Sequence, residues 1–428
     1  MDMELVFPRY ESYKGSGFNW LGDIPSDWKL QRLATVFEER KEKVSDKDFP
    51  PLSVTKNGVV PQLDSAAKSD DGDNRKGVRE GDFVINSRSD RKGSSGIAKQ
   101  DGSVSLINIV LKPKGISPRY SEHLLKSNGF IEEFYRNGHG IVADLWTTRY
   151  WDMKSIQIPL PDMLTQDRIA NFLDQKTADI DEAISKKQRL IELLNEQKTI
   201  LINQAITKGL NSGLKILPTG NTFFPELPEG TSLVKLGYLC NKVSDGPHFS
   251  PSYVDDGVMF LSAGNIRPDR WLLEDVKQIS ERDYREFCKR IIPEIGDVLY
   301  TKGGTTGVAK VVDLNERFQV WVHIAVLKLQ KEKVNPNYLA YALNSPNCYE
   351  QSQLYTRGAT NKDLGLTRMI NIVLPLPSLE EQKQIVAYLD KISAEFLKLN
   401  DLVVEEIQRL EEYRSVLISN AVTGKIKL

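Results

Sequence analysis

The sequence predicts an α+β protein in which two mixed α/β globes alternate with two long helices packed as an antiparallel coiled coil. One long stretch, from Gln166 to Lys208, contains neither Pro nor Gly and is dominated by helix formers. The same stretch returns without gaps at the end of the chain. The segments between the two copies contain short strand-like runs that Gly, Asp and Asn interrupt. An ungapped internal repeat indicates a tandem duplication, so we expect a pseudo-two-fold arrangement.

The first long helix is predicted to follow a Pro-Leu-Pro segment and to end at Gly209, where a helix C-cap belongs. Residues of the second copy are numbered 216 higher, so that Pro375 aligns with Pro159. The same offset aligns Gln382 with Gln166. Each helix has about 40 residues and is therefore about 60 Å long.

Apolar residues in the second copy recur at alternating spacings of three and four, which is typical of a coiled-coil seam. The first copy is less regular because Lys176, Lys187 and Lys198 occupy positions where apolar residues are expected. The two stretches are either unrelated core helices or partners in one antiparallel pair, and we favour the pair. The predicted interhelix seam consists of Ile169, Leu173, Leu194, Leu201, Ile385, Leu389, Phe396, Leu410 and Leu417.

Composition limits the class of protein. The 428 residues suggest two to four domains, and 57 basic against 58 acidic residues give a net charge of -1. A basic surface for nucleic acid must therefore be local. Three widely spaced cysteines argue against a disulfide framework or a zinc site. The sequence has no apolar run of about 18 residues and no signal peptide at its start, so we expect a soluble cytoplasmic protein.

The repeat divides the chain into four parts. Residues 1–157 form an N-terminal arm and the first globe, and 158–210 form the first long helix. Residues 211–373 form the second globe, and 374–428 form the second long helix. Within the first globe we expect a helix over the charged residues 38–47, a strand over 103–112 and a single helix over 117–137.

The two globes have diverged, whereas the helices have not. This contrast suggests that both helices contact one kind of partner while each globe recognises something different. The alternative is that a heptad repeat constrains sequence more strongly than a loop-rich globe does.

Three segments resemble the specificity subunit of type I DNA restriction-modification systems. They are YKGSGFNWLGDIPSDW at 13–28, the first long-helix region with its IPLP start, and LPLPSLEEQKQIVAYLD with NAVTGKI near the end. The resemblance covers the whole chain. It implies two target recognition domains, each recognising one half of a bipartite, asymmetric DNA sequence. It also implies that the paired helices hold these domains at a fixed separation and bind two methyltransferase (modification) subunits.

In that family a nuclease-translocase (restriction) subunit joins the assembly. The resemblance implies that S-adenosylmethionine, ATP and Mg are bound by partner subunits, so no cofactor is expected for this chain.

Loops after corresponding strands supply candidate DNA contacts. Guanine recognition in the major groove favours Arg or Lys, adenine recognition favours Asn or Gln, and phosphates bind cations, hydroxyls and backbone N–H groups. Residues 86–96 of the first globe and 301–307 of the second are both rich in basic, hydroxyl and Gly residues. The predicted DNA-binding residues are Lys76, Arg88, Arg91, Lys92, Ser94, Ser95, His248, Lys302, Thr305, Thr306, Lys310, Arg357 and Asn361.

Enzyme motifs are incomplete. Asn335-Pro336-Asn337-Tyr338 differs from the Asn-Pro-Pro-Tyr motif of adenine methyltransferases and is interpreted as a helix start. A loose nuclease pattern from Pro161 to Lys176 lies on the long helix and is not repeated, because Ser378 replaces Asp162. The sequence has no ATP-binding P-loop, and its four His show no metal-ligand spacing, so no metal site is expected.

The favoured interpretation is a non-catalytic DNA-recognition subunit. One alternative is a scaffold protein in which a coiled-coil rod joins two protein-binding globes. The other is a nuclease with a poorly preserved site. Co-purification with a methyltransferase and salt-sensitive binding to one duplex would distinguish the first from the second, and magnesium-dependent cleavage by the isolated chain would support the third.

Overall fold

The computed structural model describes residues 7–63, 72–141, 146–359 and 362–428. Contacts divide the chain into two compact units. Unit 1 comprises Met1–Gln188 together with Val404–Leu428, and unit 2 comprises Arg189–Val403. Each unit therefore contains one globe and part of both long helices.

Unit 1 begins with an arm of two short strands and continues into a mixed globe. Its strands are β1 (Tyr13–Gly15), β2 (Asp23–Pro25), β3 (Lys29–Arg32), β4 (Phe37–Glu39), β5 (Lys43–Val44), β6 (Leu52–Thr55), β7 (Gly58–Pro61), β8 (Arg75–Val78), β9 (Phe83–Asn86), β10 (Ser95–Ile97), β11 (Gly102–Val104), β12 (Asn108–Pro113) and β13 (Gln157–Leu160). Its helices are α1 (Leu33–Val36), α2 (Pro118–Leu125), α3 (Asn128–Arg136) and α4 (Tyr150–Met153), and the long helix α5 (Met163–Lys208) starts here.

Unit 2 repeats this order with a different middle section. Its strands are β14 (Ile216–Pro218), β15 (Glu226–Pro228), β16 (Ser232–Lys235), β17 (Cys240–Asp245), β18 (Tyr253–Val254), β19 (Val258–Leu261), β20 (Lys277–Ile279), β21 (Val298–Thr301), β22 (Ala309–Val311), β23 (Phe318–Val320), β24 (Ile324–Leu329) and β25 (Val373–Leu376). Its helices are α6 (Glu281–Cys288), α7 (Pro336–Leu343), α8 (Pro346–Tyr355) and α9 (Leu366–Met369), and the long helix α10 (Leu379–Val422) starts here.

A four-stranded antiparallel sheet is common to both units. Its strand order is β10-β9-β12-β4 in unit 1 and β22-β21-β24-β17 in unit 2. The central strands are buried, and their registers match: Val84 lies opposite Val110, as Leu299 lies opposite Val326. The repeated strand pattern of the sequence therefore corresponds to a repeated sheet.

The remaining strands differ between the units. Unit 1 adds a three-stranded sheet, β11-β8-β5, and the hairpin β6-β7. Unit 2 adds a four-stranded sheet, β18-β20-β19-β23, in which β19 and β23 are parallel. The divergence of the globes is thus concentrated in the segments between the first and second strands of the common sheet.

Three expectations for the first globe were wrong in detail. Residues 38–47 contain β4 and β5 instead of a helix, because pairing of β4 with β12 sets Glu38 opposite Lys112. Tertiary pairing there outweighs helix propensity. Residues 117–137 form two helices, and the Ser127 hydroxyl caps the second by accepting from the Phe130 N–H. Residues 103–112 likewise form two strands, β11 and β12.

The long helices confirm the predicted fold class. α5 has 46 residues and α10 has 44, and the C-cap residue Gly209 has φ +65°, in the left-handed region that glycine favours. None of the described helices is long and apolar enough to cross a membrane.

The two helices pack antiparallel within each unit. In unit 1, Lys187 Nζ lies 2.6 Å from Glu406 Oε2, and Asp181 Oδ1 lies 3.3 Å from Arg414 Nε. Later residues of α5 therefore meet earlier residues of α10. In unit 2, Asn400 donates to Asn195 at 3.2 Å.

The residues proposed for the interhelix seam fall into two groups. Five are buried and belong to the hydrophobic cores of the globes: Ile169, Leu173 and Leu417 in unit 1, and Ile385 and Leu389 in unit 2. The other four, Leu194, Leu201, Phe396 and Leu410, are half-buried. The helix ends thus pack into the globes, and the middle of each helix is more exposed. The seam assignment itself stays a prediction.

The C-terminal end of α10 packs into the core of unit 1, and the C-terminal end of α5 packs into the core of unit 2 in the same way. The Tyr13 hydroxyl donates to the Gly424 carbonyl at 3.1 Å, and the Lys427 N–H donates to the Pro8 carbonyl at 2.7 Å. In unit 2 the chain passes directly from α5 into the arm strands β14 and β15. The buried Tyr120 and Tyr338 hydroxyls donate to the matching carbonyls of Pro159 and Pro375.

Candidate nucleic-acid interface

Two loops meet at one edge of the common sheet in unit 1. We call residues 87–94 and 138–149 the unit 1 loop pair, of which 142–145 lie outside the described residues. Thr147 forms β-bridges to both Arg88 and His139. The Thr148 N–H donates to the Ser87 carbonyl at 2.9 Å. The loop that follows β9 is therefore fixed to the loop that follows α3.

Unit 2 has the same frame. We call residues 302–308 and 356–365 the unit 2 loop pair, of which 360–361 lie outside the described residues. Asp363 forms β-bridges to both Gly303 and Arg357. The Leu364 N–H donates to the Lys302 carbonyl at 2.8 Å. These bonds match Ser87 with Lys302, Arg88 with Gly303, Thr147 with Asp363, and His139 with Arg357.

Gly303 is required by a close approach. A Cβ built at this position would overlap the imidazole ring of His323. Arg88, at the matching position of unit 1, has a side chain that is exposed. One loop pair therefore presents a guanidinium where the other presents bare backbone.

Three of the predicted contact residues in unit 1 are exposed. Arg88 is exposed, and Arg91 is 68% exposed with Nε 3.6 Å from the Asp90 carboxylate. Lys92 is also exposed, and its ammonium lies 2.6 Å from Glu132. These cations can reach a duplex placed against the loop pair.

The other predicted contact residues of unit 1 face inward. Ser94 and Ser95 are buried, and the Ser95 hydroxyl has no hydrogen-bond partner among the described residues. The Lys76 ammonium donates to the Asn108 carbonyl at 2.7 Å. Burial lowers the pKa of Lys76, although the carboxylate of Glu39, 4.0 Å away, acts in the opposite direction. These side chains shape the loop from within.

Unit 2 shows the same division. His248, Thr305 and Arg357 are exposed, whereas Lys302, Thr306 and Lys310 are buried. Asn361 lies outside the described residues.

The three buried side chains among these predicted contacts, Lys302, Thr306 and Lys310, have partners within the fold. The Thr306 hydroxyl accepts from Gln353 at 3.2 Å. The Lys310 ammonium lies 5.0 Å from the centre of the Trp271 ring and 3.6 Å from Asp313.

An alternating chain of charges underlies the unit 2 loop pair. Asp245, only 3% exposed, pairs with Arg290, and its Oδ2 lies 3.3 Å from Lys302 Nζ. Lys302 in turn lies 3.2 Å from Asp363 Oδ1, and Asp363 Oδ2 lies 3.1 Å from Arg368. The network joins the end of β17, the loop after α6 and both loops of the pair.

These charges shift the pKa of Asp245 and of the neighbouring His323 ring. Burial alone would raise the pKa of Asp245, but the hydrogen bond from Arg290 and the charge of Lys302 outweigh it and hold that pKa below its usual value. Burial and the charge of Lys302 lower the pKa of His323. Asp245 is therefore a carboxylate, and His323 a neutral ring, near pH 7.

Sequence reasoning missed several residues beside the loop pairs. In unit 1, Lys41, Arg149 and Trp151 line a cavity of about 390 Å³ next to Ser87 and Thr147. In unit 2, a cavity of about 470 Å³ is lined by residues that include Arg357, Arg368 and Lys235. No local motif marks these positions, because the residues of each cavity come from distant parts of the chain. No group of three or more His, Cys, Asp or Glu among the described residues could hold a metal ion.

Comparison with known proteins gives concordant results. The family model for the type I restriction modification DNA specificity domain matches residues 228–409. The MjaVIII type I specificity subunit of Methanocaldococcus jannaschii is 25% identical over 64% of this chain, and the alignment spans 63% of that relative. The putative MjaX specificity subunit of the same organism is 24% identical over 99% of both chains. The EcoBI specificity subunit of Escherichia coli is 23% identical over 72% of this chain and 65% of its own length.

Two solved structures share the fold. A chain from a study of complex assembly and conformational transition of the type I R-M system superposes with a TM-score of 0.71, at 18% identity, over 93% of this chain and 98% of its own. The HsdS subunit from Thermoanaerobacter tengcongensis gives a TM-score of 0.50 at 20% identity, over 94% and 98%. Both likenesses extend over globes and long helices alike.

Proposed function

We propose that this chain belongs to the family of type I restriction-modification specificity subunits, that it recognises a bipartite DNA sequence, and that each globe recognises one half of it. It would act without catalysing a reaction itself. The boundaries of the two target recognition domains are proposed as residues 1–157 and 211–373, with the connecting helices at 158–210 and 374–428.

One observation carries the proposal: the same backbone frame appears twice with different side chains. Thr147 bridges Arg88 and His139 in unit 1, whereas Asp363 bridges Gly303 and Arg357 in unit 2. A backbone frame that both units share can place each loop pair against DNA in the same way. Different side chains on that frame can then recognise different bases.

Burial divides the proposed DNA-binding residues by role. The exposed side chains of Arg88, Arg91, Lys92, His248, Thr305 and Arg357 are proposed as direct contacts. Asn361, which lies outside the described residues, is retained as a proposed contact from the sequence. Lys76, Ser94, Ser95, Lys302, Thr306 and Lys310 are proposed to hold the loops in place, because their polar atoms face into the fold.

The paired helices are the proposed docking surface for methyltransferase subunits. Exposed apolar side chains are concentrated on the middle of both helices, where a folded partner could cover them. They include Leu190, Leu193, Ile200, Leu397, Leu399 and Leu402. We propose two methyltransferase copies and one or more nuclease-translocase subunits, with S-adenosylmethionine, ATP and Mg bound by those partners.

The proposal can be tested by selecting duplexes from a random library with the full chain and a methyltransferase subunit that co-purifies with it. We expect one enriched motif of two half-sites separated by an unspecified spacer, with affinity that falls as salt rises. Salt-sensitive binding with no enriched motif would indicate contacts to the DNA backbone alone. Absence of both binding and a methyltransferase partner would favour a protein scaffold.

Arg88→Ala and Arg91→Ala are expected to weaken binding by about 1–3 kcal/mol each and to relax the preference within one half-site. The physical reason is that an arginine contacting guanine offers two hydrogen bonds that alanine cannot replace. Lys99→Ala, at another exposed cation of the same globe, is the matched control. Selection with each variant provides the measurement, and an unchanged motif with unchanged affinity would remove both arginines from the interface.

A further inference from the structure

The cavity beside the unit 1 loop pair has a size and position that suit a ligand. Its volume of about 390 Å³ falls within the range of roughly 300–1,000 Å³ typical of binding sites. Ser87 and Thr147 of the loop pair form part of its wall. Anything bound there would touch the proposed DNA-binding surface.

The charges that line this cavity favour an anion. Lys41, Lys76 and Arg149 contribute three positive charges, and Glu39 contributes one carboxylate. Glu39 lies 3.3 Å from Lys41 and 4.0 Å from Lys76, so a single carboxylate serves two ammonium groups. Two positive charges remain uncompensated within the lining.

The cavity also has an aromatic wall. Trp151 is 67% exposed, whereas the other five tryptophans are buried or half-buried. The ammonium of Lys154 lies 3.5 Å from the centre of its ring, a cation–π contact that fixes the indole in place. A flat apolar face beside cations suits a sugar that is attached to a phosphate.

Unit 2 fills the corresponding position with an ion pair. Lys302 stands where unit 1 has Ser87, and Asp363 stands where unit 1 has Thr147. Lys41 of unit 1 and Asp245 of unit 2 also occupy matching positions. Lys41 lies two residues after Glu39, which pairs with Leu111. Asp245 lies two residues after Val243, which pairs with Leu327.

The two units therefore differ at this site both in the charge of the lining and in the open volume. The Lys302 side chain is 7% exposed and lies between Asp245 and Asp363, at 3.3 and 3.2 Å. Thr367 occupies the second position of α9, as Trp151 does in α4. In unit 2 the Lys302 ammonium therefore fills this site, whereas in unit 1 the site is open and lined by cations.

We propose that the unit 1 cavity binds one backbone phosphate of the recognised DNA, with the phosphate on Lys41 and Arg149 and its sugar against Trp151. This inference rests on the proposed DNA-recognition function and adds to it an anchoring site that differs between the two units. The site contacts no base edge, so it contributes affinity and registers the duplex against the loop pair without recognising sequence.

The test measures two quantities, the affinity for the selected duplex and the dependence of that affinity on salt. Lys41→Ala and Arg149→Ala should each weaken binding to the selected duplex by at least about tenfold at low salt, as expected for loss of a hydrogen bond to a charged group. Each should also reduce the slope of log affinity against log salt by about 1. Trp151→Ala should weaken binding without changing that slope, because it removes an apolar contact.

Two further variants test the comparison with unit 2, the first as a control and the second as a predicted loss of binding. Thr367→Ala, at the position of unit 2 that matches Trp151, should leave affinity unchanged. The double variant Lys41→Asp with Ser87→Lys rebuilds in unit 1 the ion pair that closes unit 2, and it should reproduce the loss caused by Arg149→Ala. Thermal unfolding of each variant, most of them at exposed positions, verifies that the globe remains folded.

The outcomes distinguish the inference from the function on which it rests. If the wild-type complex enriches no duplex, the proposed function fails and the inference fails with it. If the wild type binds its duplex but the variants at Lys41, Arg149 and Trp151 bind equally well with the same salt slope, only the cavity assignment is overturned. If those variants lose binding of inorganic phosphate but keep full affinity for the duplex, the cavity is a site for a free anion and the DNA assignment is wrong.

Discussion

Replacing Asp245 with alanine is expected to lower the free energy of unfolding by about 3 kcal/mol, the lower end of the range for breaking a buried ion pair. The carboxylate is buried and is shared by Arg290 and Lys302. Its removal leaves the buried Lys302 ammonium with Asp363 as its remaining carboxylate, 3.2 Å away. That surviving contact is why the loss should not reach the upper end. Urea unfolding at neutral pH provides the measurement.

The same carboxylate should make stability depend on pH in the acidic range. The pKa of Asp245 is lowered in the folded protein, so its contribution is present above the unfolded value of about 3.9 and is lost as the pH falls through the folded value. Asp245→Asn should therefore be less stable than wild type at pH 7, and the difference should shrink towards low pH. Asp256→Asn, at an exposed carboxylate of the same unit, should change little. A difference that stays constant with pH would show that the ionic pairing of Asp245 is not what stabilises unit 2.

The chain shows which structural features a sequence can reveal. Helix formers without Pro or Gly predicted α5, and the ungapped repeat predicted α10 and a matched pair of globes. These features depend on local propensity and periodicity, which the sequence displays directly. The interpretation of Asn335-Pro336-Asn337-Tyr338 as a helix start is confirmed, because the Asn335 side chain caps α7 by accepting from the Asn337 and Tyr338 N–H groups.

Features that depend on distant partners could not be predicted in this way. The sequence predicts Lys302 as a DNA-binding residue because it lies in a Gly- and Thr-rich loop. In the fold it pairs with Asp245, at the end of a strand more than 50 residues earlier, and with Asp363, about 60 residues later. Composition indicates that a loop is basic, but only the tertiary structure shows which cations are already neutralised. The helix expected at 38–47 was wrong for a related reason, since its strands form by pairing with β8 and β12.

Gln382→Leu is expected to destabilise unit 2 by about 3 kcal/mol. Leucine has a similar size but no amide, so one backbone N–H and two backbone carbonyls would lose this partner. The Gln382 carbonyl oxygen accepts from the Asn335 N–H at 2.8 Å. Its amide nitrogen donates to the carbonyls of Pro377 at 2.9 Å and Lys333 at 3.1 Å. An unsatisfied buried polar group costs about 1–3 kcal/mol, and at least one N–H and one carbonyl would lose their partner. Hydrogen exchange at α7 and the start of α10, compared with urea unfolding, measures the effect.

The duplication supplies a replicate for this prediction, and an exposed glutamine of α10 supplies a control. Gln166 makes the matching bonds in unit 1, accepting from the Ser117 N–H at 2.8 Å and donating to the Pro161 carbonyl at 2.9 Å. Gln166→Leu should therefore weaken unit 1 by a similar amount, somewhat less because it has one bond fewer. Gln408→Leu, at an exposed position of α10, should change stability by no more than about 0.5 kcal/mol. A comparable loss from Gln408→Leu would mean that glutamine acts through helix propensity. No loss from either buried variant would mean that helix and globe stay packed together without the glutamine amide. The presence of glutamine at both position 166 and position 382 of the repeat would then have another cause.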